Sequence, residues 1–196
     1  MEKIIERVKS ILLSPKDALS AVKTEEMTIA GVMKEYVVFV AAIPAIAQFI
    51  GYALVGLPLV GRYNIFRSLI YAAISFVLYL VAVFVVGKVI NSLAPTFNAV
   101  KNDLNAFKLA VYCWTPAFVA GIFYLIPSLS ILAILGALYG FYILSIGIPI
   151  LMEAPQDKTI AYTLVTIVVT IIIMFVIGAI AGALAWGGGA GPARYF

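Results

Sequence analysis

The chain has no histidine, a single cysteine, and charges on only 11% of its 196 residues. Without histidine there is no His-Glu-x-x-His zinc helix. With one cysteine, Cys113, there is neither a cysteine metal cluster nor an intramolecular disulfide. The Gly-x-Ser-x-Gly elbow, Walker-type phosphate loops and paired intramembrane aspartates are missing too, so the common routes to hydrolysis have no visible residues. No Asn-X-Ser/Thr sequon occurs. No Asp, Glu, Lys, Arg or His falls near the centre of a long apolar run, where ion pumps and proton-coupled carriers place one because a moving charge needs a partner. These absences point away from an enzyme and from proton-coupled transport, and no cofactor is expected.

What is abundant is apolar: 64% of residues are hydrophobic and the mean hydropathy is +1.13. A soluble domain is about half apolar and about a quarter charged, so lipid must cover the rest here. Five runs are long enough to cross a bilayer: 36–57, 66–90, 106–126, 129–152 and 159–186. The fifth would be roughly 40 Å long, so it tilts or emerges from the hydrocarbon. Backbone groups in hydrocarbon must be satisfied internally, and these runs are too long for barrel strands. The expected class is all-α, a polytopic bundle of five transmembrane helices.

The net charge of +4 does not point to nucleic acid, because the basic residues flank the apolar runs. Lys3, Arg7, Lys9, Lys16, Lys23, Lys34, Lys88, Lys101, Lys108 and Lys158 fall on one side, and Arg62, Arg67 and Arg194 on the other. The positive-inside rule places the N-terminus in the cytoplasm and the C-terminus outside. The first 35 residues carry no cleavable signal and read as a cytoplasmic amphipathic segment ahead of a membrane domain at 36–186 and a flexible extracytoplasmic tail at 187–196. Within residues 2–13, Ile4, Ile5, Val8, Ile11 and Leu12 share one helical face opposite Glu2, Lys3, Glu6, Arg7 and Lys9, a pattern suited to the membrane interface or to packing on the bundle. Ser14-Pro15-Lys16-Asp17 starts a second short helix running to about Val22, with Ser14 as its N-cap. Residues 91–105 read as the one substantial polar loop.

Polar stripes run along three spans: Ser68, Tyr71, Ser75 and Tyr79; Tyr139, Tyr142 and Ser145; and Thr159, Thr163, Thr166 and Thr170. Three- and four-residue steps put each set on one face. Such faces either converge on a hydrated cavity or headgroup site, or bond to their own backbone and to neighbouring helices. Gly136-x-x-x-Gly140 and Gly178-x-x-x-Gly182 allow close helix approach, expected within the monomer. Pro44, Pro116 and Pro149 lie in or near the ends of spans, where each removes a backbone donor. Glu153 and Asp157 cluster with Lys158 after the fourth span; they are weak metal candidates, and a solvated ion-pair network is the expectation. Cys113 reads as a small buried apolar residue.

The ordered series Leu93-Ala94-Pro95-x-Phe97, Ala110-Val111-Tyr112-Cys113-Trp114-Thr115-Pro116, Tyr139-Gly140-x-Tyr142-Ile143-Leu144-x-x-Gly147-x-Pro149 and Pro155-x-x-Lys158 resembles the prokaryotic branch of the Yip-domain family. The likeness is strongest over 93–163, with Leu13-Ser14-Pro15-x-x-Ala18 a fainter echo. That family takes its name from eukaryotic relatives that interact with Ypt/Rab GTPases in vesicle traffic. The long polar N-terminal region of those members is not in this sequence, so what the resemblance implies is the five-span bundle rather than the GTPase role. It marks Tyr112, Pro116, Tyr139, Gly140, Tyr142, Gly147, Pro149 and Lys158 as candidate functional residues. The expected function is a non-enzymatic, multi-pass protein of the cell membrane (plasma or inner) that organises lipids or other membrane proteins, with self-association left open. The alternative is a small permease or lipid-translocating transporter lined by the Tyr/Ser/Thr stripes.

Overall fold

The structure, a computed structural model, describes residues 2–56 and 61–186. It is built of helices throughout. Two short ones open it, α1 (Glu2–Leu13) and α2 (Pro15–Thr24). Five helical spans follow: Ile29–Val55, Ile65–Phe97, Asp103–Leu125, Pro127–Leu151 and Gln156–Leu184. Among the described residues these five are long and apolar enough to cross a membrane. The tail at 187–196, with Arg194, and Leu57 of the first predicted run lie outside the described residues.

Several boundaries move from their sequence-read positions, each for a local reason. Thr28 accepts a hydrogen bond from the Gly31 backbone N–H at 3.0 Å and starts the first span at Ile29, ahead of position 36. Lys34 and Glu35 therefore ride on a helix that becomes membrane-like only afterwards. The supposed loop at 91–105 shrinks to 98–102. The second span keeps its helix through Leu93 and a 3₁₀ turn through Phe97, and Asn98 ends it in the left-handed region (φ 54°). Asn102 then caps the third span by accepting from Asn105 N–H at 3.0 Å. Ser14 stands where expected, before Pro15, but its side chain makes no capping bond.

The third span is the hub. About 72% of its most apolar 18-residue stretch is buried, against 17% for the fifth, which keeps a broad exposed face. The third and fourth spans run antiparallel at close range. A Cβ at Gly136 would lie 2.5 Å from the Pro116 carbonyl oxygen, one at Gly140 2.3 Å from that of Cys113, and one at Gly147 2.4 Å from Leu109 Cδ1. These three glycines are the slot into which the third span fits. The second glycine pair behaves differently, since nothing lies within 4 Å of a Cβ built at Gly178 or Gly182. Only the first pair packs within the monomer, which corrects the expectation for the second. Cys113 is buried, as the sequence suggested.

The contrast sets an expected outcome. Gly140→Ala pushes a methyl into backbone and lowers stability in detergent by about 1–3 kcal/mol, whereas Gly178→Ala changes it by no more than about 0.5 kcal/mol. Thermal unfolding of the two purified variants reads the difference.

Candidate functional site

One face of the third span carries, at three- and four-residue steps, Asn105, Lys108, Tyr112 and Thr115. Asn105 holds the fourth span, and the other three meet the N-terminal part of the molecule. Asn105 Nδ2 donates to the Leu151 carbonyl at 3.2 Å and closes the end of the fourth span. Thr115 Oγ1 donates to its own helix at Val111 and lies 3.0 Å from the Tyr36 hydroxyl, so the two hydroxyls share a buried hydrogen bond. The Tyr36 ring stands edge-on to Tyr112 at 5.5 Å between centroids. Tyr36 itself sits in a π-helical turn, Met33–Val37, inside the first span.

Lys108 is the least expected of the four. Its side chain is 99% removed from solvent (1% exposed), and its ammonium donates to the carbonyls of Val22 and Glu25, each at 2.7 Å. A helix leaves its last carbonyls without intrahelical partners, and a cation there also meets the negative end of the helix dipole. Lys108 thus caps α2 from the neighbouring span. Tyr139 does the same for α1: its hydroxyl donates to the Leu12 carbonyl at 2.8 Å. The two short helices are further joined by Arg7, whose Nη2 lies 2.7 and 2.8 Å from the two Glu25 carboxylate oxygens. The Arg7 guanidinium stands 6.0 Å from the Tyr112 ring centre, the outer reach of a cation–π contact. Burial works against the Arg7 charge, but the Glu25 hydrogen bonds and the surrounding charges outweigh it and hold the proton more firmly than usual.

Beneath these polar ties lies an apolar seat. Ile11, Leu19 and Val22 are fully buried. Leu19 reaches the slot left by Gly147: a Cβ at 147 would come within 3.2 Å of Leu19 Cδ1 as well as striking Leu109. The missing side chain at 147 is therefore what lets α2 settle on the third and fourth spans. Lys23 adds an outer ion pair to Glu153 at 2.7 Å.

Of the residues marked in the sequence, Pro116, Gly140 and Gly147 lie on the contact between the third and fourth spans, whereas Tyr112 meets Tyr36 and Arg7 and Tyr139 reaches α1. Tyr142 is 52% exposed beside Tyr139, at 5.6 Å between ring centroids. Pro149 lies within the fourth span near its end, partly buried. Lys158 stands apart, exposed, with only Asp157 at 4.0 Å. Glu153 and Asp157 pair with different lysines, and among the described residues no group of three or more His, Cys, Asp or Glu could hold a metal.

The stripe hydroxyls turn largely to their own helices. Ser68 donates to Asn64 O, Ser145 to Tyr142 O, Thr159 to Pro155 O, Thr163 to Thr159 O, Thr166 to Tyr162 O and Thr170 to Thr166 O. Ser75 is buried near Tyr71, and the Tyr79 hydroxyl accepts from Gln48 at 2.8 Å. Sequence reading missed Lys108, Arg7 and Glu25 as partners. A lysine at the foot of a span reads as an orientation signal, and no short-range pattern joins it to a carbonyl in another helix.

The model of the Yip1 domain matches residues 9–187 of the chain. Similar proteins include "Inner membrane protein YohC" of Escherichia coli (strain K12) and its counterpart in Escherichia coli O6:H1, each 26% identical over 160 residues, covering 78% of this chain and 82% of the relative. No solved structure matches.

Removing the donors should loosen the two short helices. Lys108→Met removes the donor of the Glu25 carbonyl and leaves Val22 with only the Glu25 N–H, at a cost of about 1–3 kcal/mol, and Tyr139→Phe, which removes the donor to Leu12, costs about 1 kcal/mol. Both variants are expected to be cut faster than the parent by trypsin after Lys16 and Lys23 in detergent or nanodiscs, with Lys108→Met the faster.

Proposed function

The chain belongs to the Yip1 domain family, and on that footing we propose that it is a non-enzymatic multi-pass protein of the cell or inner membrane that organises protein partners or lipids from its cytoplasmic face. The observation that carries this reading is the docked helical pair. The α1–α2 unit is fastened to the spans by Lys108 and Tyr139 and held together by the Arg7–Glu25 pair, so the surface it presents has a fixed shape. A fixed surface is what repeated engagement of a partner requires, because little ordering is left to pay on binding. The excess of lysine and arginine on this side supports its cytoplasmic placement. The relatives named as inner membrane proteins support the same compartment.

A permease would need the stripe hydroxyls to face a shared polar path. The threonines donate instead to carbonyls one helical turn back, Tyr79 and Tyr139 bond to Gln48 and Leu12, and the space beside Thr170 is a small apolar crevice between the third, fourth and fifth spans, lined by Cys113, Trp114, Gly140 and Met174. The organising role is thus the better supported of the two. Expected partners are membrane lipids, other membrane proteins and further copies of the chain.

Photo-crosslinking residues at Asp17 and Ser20, on the exposed side of α2, test the proposal in the native membrane. Recurrent adducts to the same protein or lipid at these positions, absent from Phe175 on the lipid side, are the expected result. No reproducible adduct, together with solute flux in reconstituted vesicles that Tyr139→Phe and Tyr142→Phe abolish, would replace it with the transport reading.

A further inference from the structure

Gln48 carries an amide into an otherwise apolar stretch of the first span, and only one end of that amide is satisfied. The residue is 6% exposed. Its Nε2 donates to the Tyr79 hydroxyl at 2.8 Å, while its Oε1 is buried without a hydrogen-bond partner. Turning the amide over moves the defect without curing it, since Oε1 would then accept from Tyr79 and the Nε2 hydrogens would be left over. Gln48 stands roughly 10 Å in from the end of the first span at Val55, at 1.5 Å per residue. A polar group left over at such a depth is costly unless something bonds to it.

The groups around this amide are neutral and bear hydroxyls. Tyr71, Ser75 and Tyr79 descend the second span one turn at a time, and the Tyr71 hydroxyl bonds to Ser75. The Tyr79 hydroxyl lies within electrostatic range of those of Tyr52, Tyr71 and Tyr124. The Tyr52 ring meets Tyr71 edge-on at 5.5 Å and Tyr63 at 5.8 Å between centroids, so the file of rings reaches the segment that joins the first two spans. Two backbone features aim the rings. Tyr52 sits in a second π-helical turn, Gly51–Val55, and the missing side chain of Gly51 lets that turn close on the Tyr124 carbonyl, which a Cβ would strike. Inward the file stops: Tyr79 packs on Phe118 at 5.7 Å and Phe118 on Trp114 at 5.6 Å, both buried. The first charge met along the second span is Arg67, at its outer end, one turn before Tyr71. We propose that Gln48, Tyr52, Tyr71, Tyr79 and Tyr124 form a blind pocket in the outer half of the membrane that takes small uncharged hydrogen-bonding molecules, water the smallest of them, from the extracytoplasmic side. The guest bonds to the free end of the Gln48 amide and to the hydroxyls around it, which donate and accept alike but offer no counter-charge to an ion. Closed at Phe118 and Trp114, the pocket is no path through the bilayer, and it is independent of which partners the protein organises.

Water is the probe that tests it. In lipid nanodiscs, brief radiolytic hydroxyl-radical labelling of the unsubstituted protein should oxidise Tyr52, Tyr71 and Tyr79 several-fold faster than Tyr162, which is fully buried with its hydroxyl bonded to the Ile90 carbonyl. Trp114 should stay as slow as Tyr162. Tyr79 labelled no faster than Tyr162 would overturn the proposal, and Trp114 labelled as fast as Tyr79 would overturn the closed inner end. Gln48→Leu keeps the bulk and removes the amide, so oxidation of Tyr79 should fall several-fold while that of Tyr52, nearer the mouth, persists. Unchanged Tyr79 labelling in a variant that elutes like the parent would remove Gln48 from the site. In sealed right-side-out vesicles, Tyr52→Cys should react with a membrane-impermeant thiol reagent added outside, above the background of the unsubstituted chain, whose Cys113 is buried. Reaction only with reagent trapped inside would overturn the side of entry.

Discussion

Lys108 holds its charge where water does not reach, and the carbonyl oxygens of Val22 and Glu25 are what it meets there. An ammonium so placed is costly unless its donors are matched, and carbonyls at a helix end are costly unless they are donated to. Each defect cures the other, provided α2 lies against the third span in one position. The same logic recurs one helix earlier, where the Tyr139 hydroxyl meets Leu12. It recurs again where Lys88 and Asn91 both donate to Asp103 at 2.7 and 2.9 Å and bind the end of the second span to the start of the third. Orphan polar groups at helix ends thus determine how the apolar surfaces are brought into register.

The apolar surfaces could not supply that register alone. The third span buries nearly every residue from Ala106 to Pro116, but Leu, Val and Ala side chains pack in more than one rotation with similar energy. Glycines narrow the choice by excluding bulk where helices cross, as at Gly87 against Phe107 (a Cβ would be 3.1 Å from its Cα) and Gly121 against Pro44 (2.5 Å from its Cβ). On the far side, Tyr162 locks the fifth span by donating to the Ile90 carbonyl while its ring stacks on Phe97 at 4.9 Å.

Hydropathy revealed the five spans because twenty apolar residues in succession have few destinations other than lipid. Their ends were harder to read. Lys34 and Glu35 interrupt the apolar run without interrupting the helix, and Asn91 is polar yet helical because its amide has Asp103 to donate to. Tyr112, Tyr139 and Gly147 were legible as members of an ordered motif series, but their connection to α1 and α2 was not. Leu12 and Tyr139 are far apart in sequence, and no periodicity joins them. The two Gly-x-x-x-Gly pairs look alike on paper, and the packing alone separates Gly136 and Gly140 from Gly178 and Gly182.

The two short helices are seated on spans that are synthesised well after them. α1 and α2 leave the ribosome ahead of the spans, yet Lys108 follows only after two of them, and Tyr139 and Gly147 only after three, have been threaded into the bilayer. At about 5–20 residues per second, the wait is on the order of ten seconds. During that interval the buried positions Ile11, Leu19 and Val22 have no protein to cover them, and contacts so distant in sequence form slowly once they can. Biogenesis of this protein is therefore a problem of sheltering its amino-terminal helices until the fourth crossing is complete.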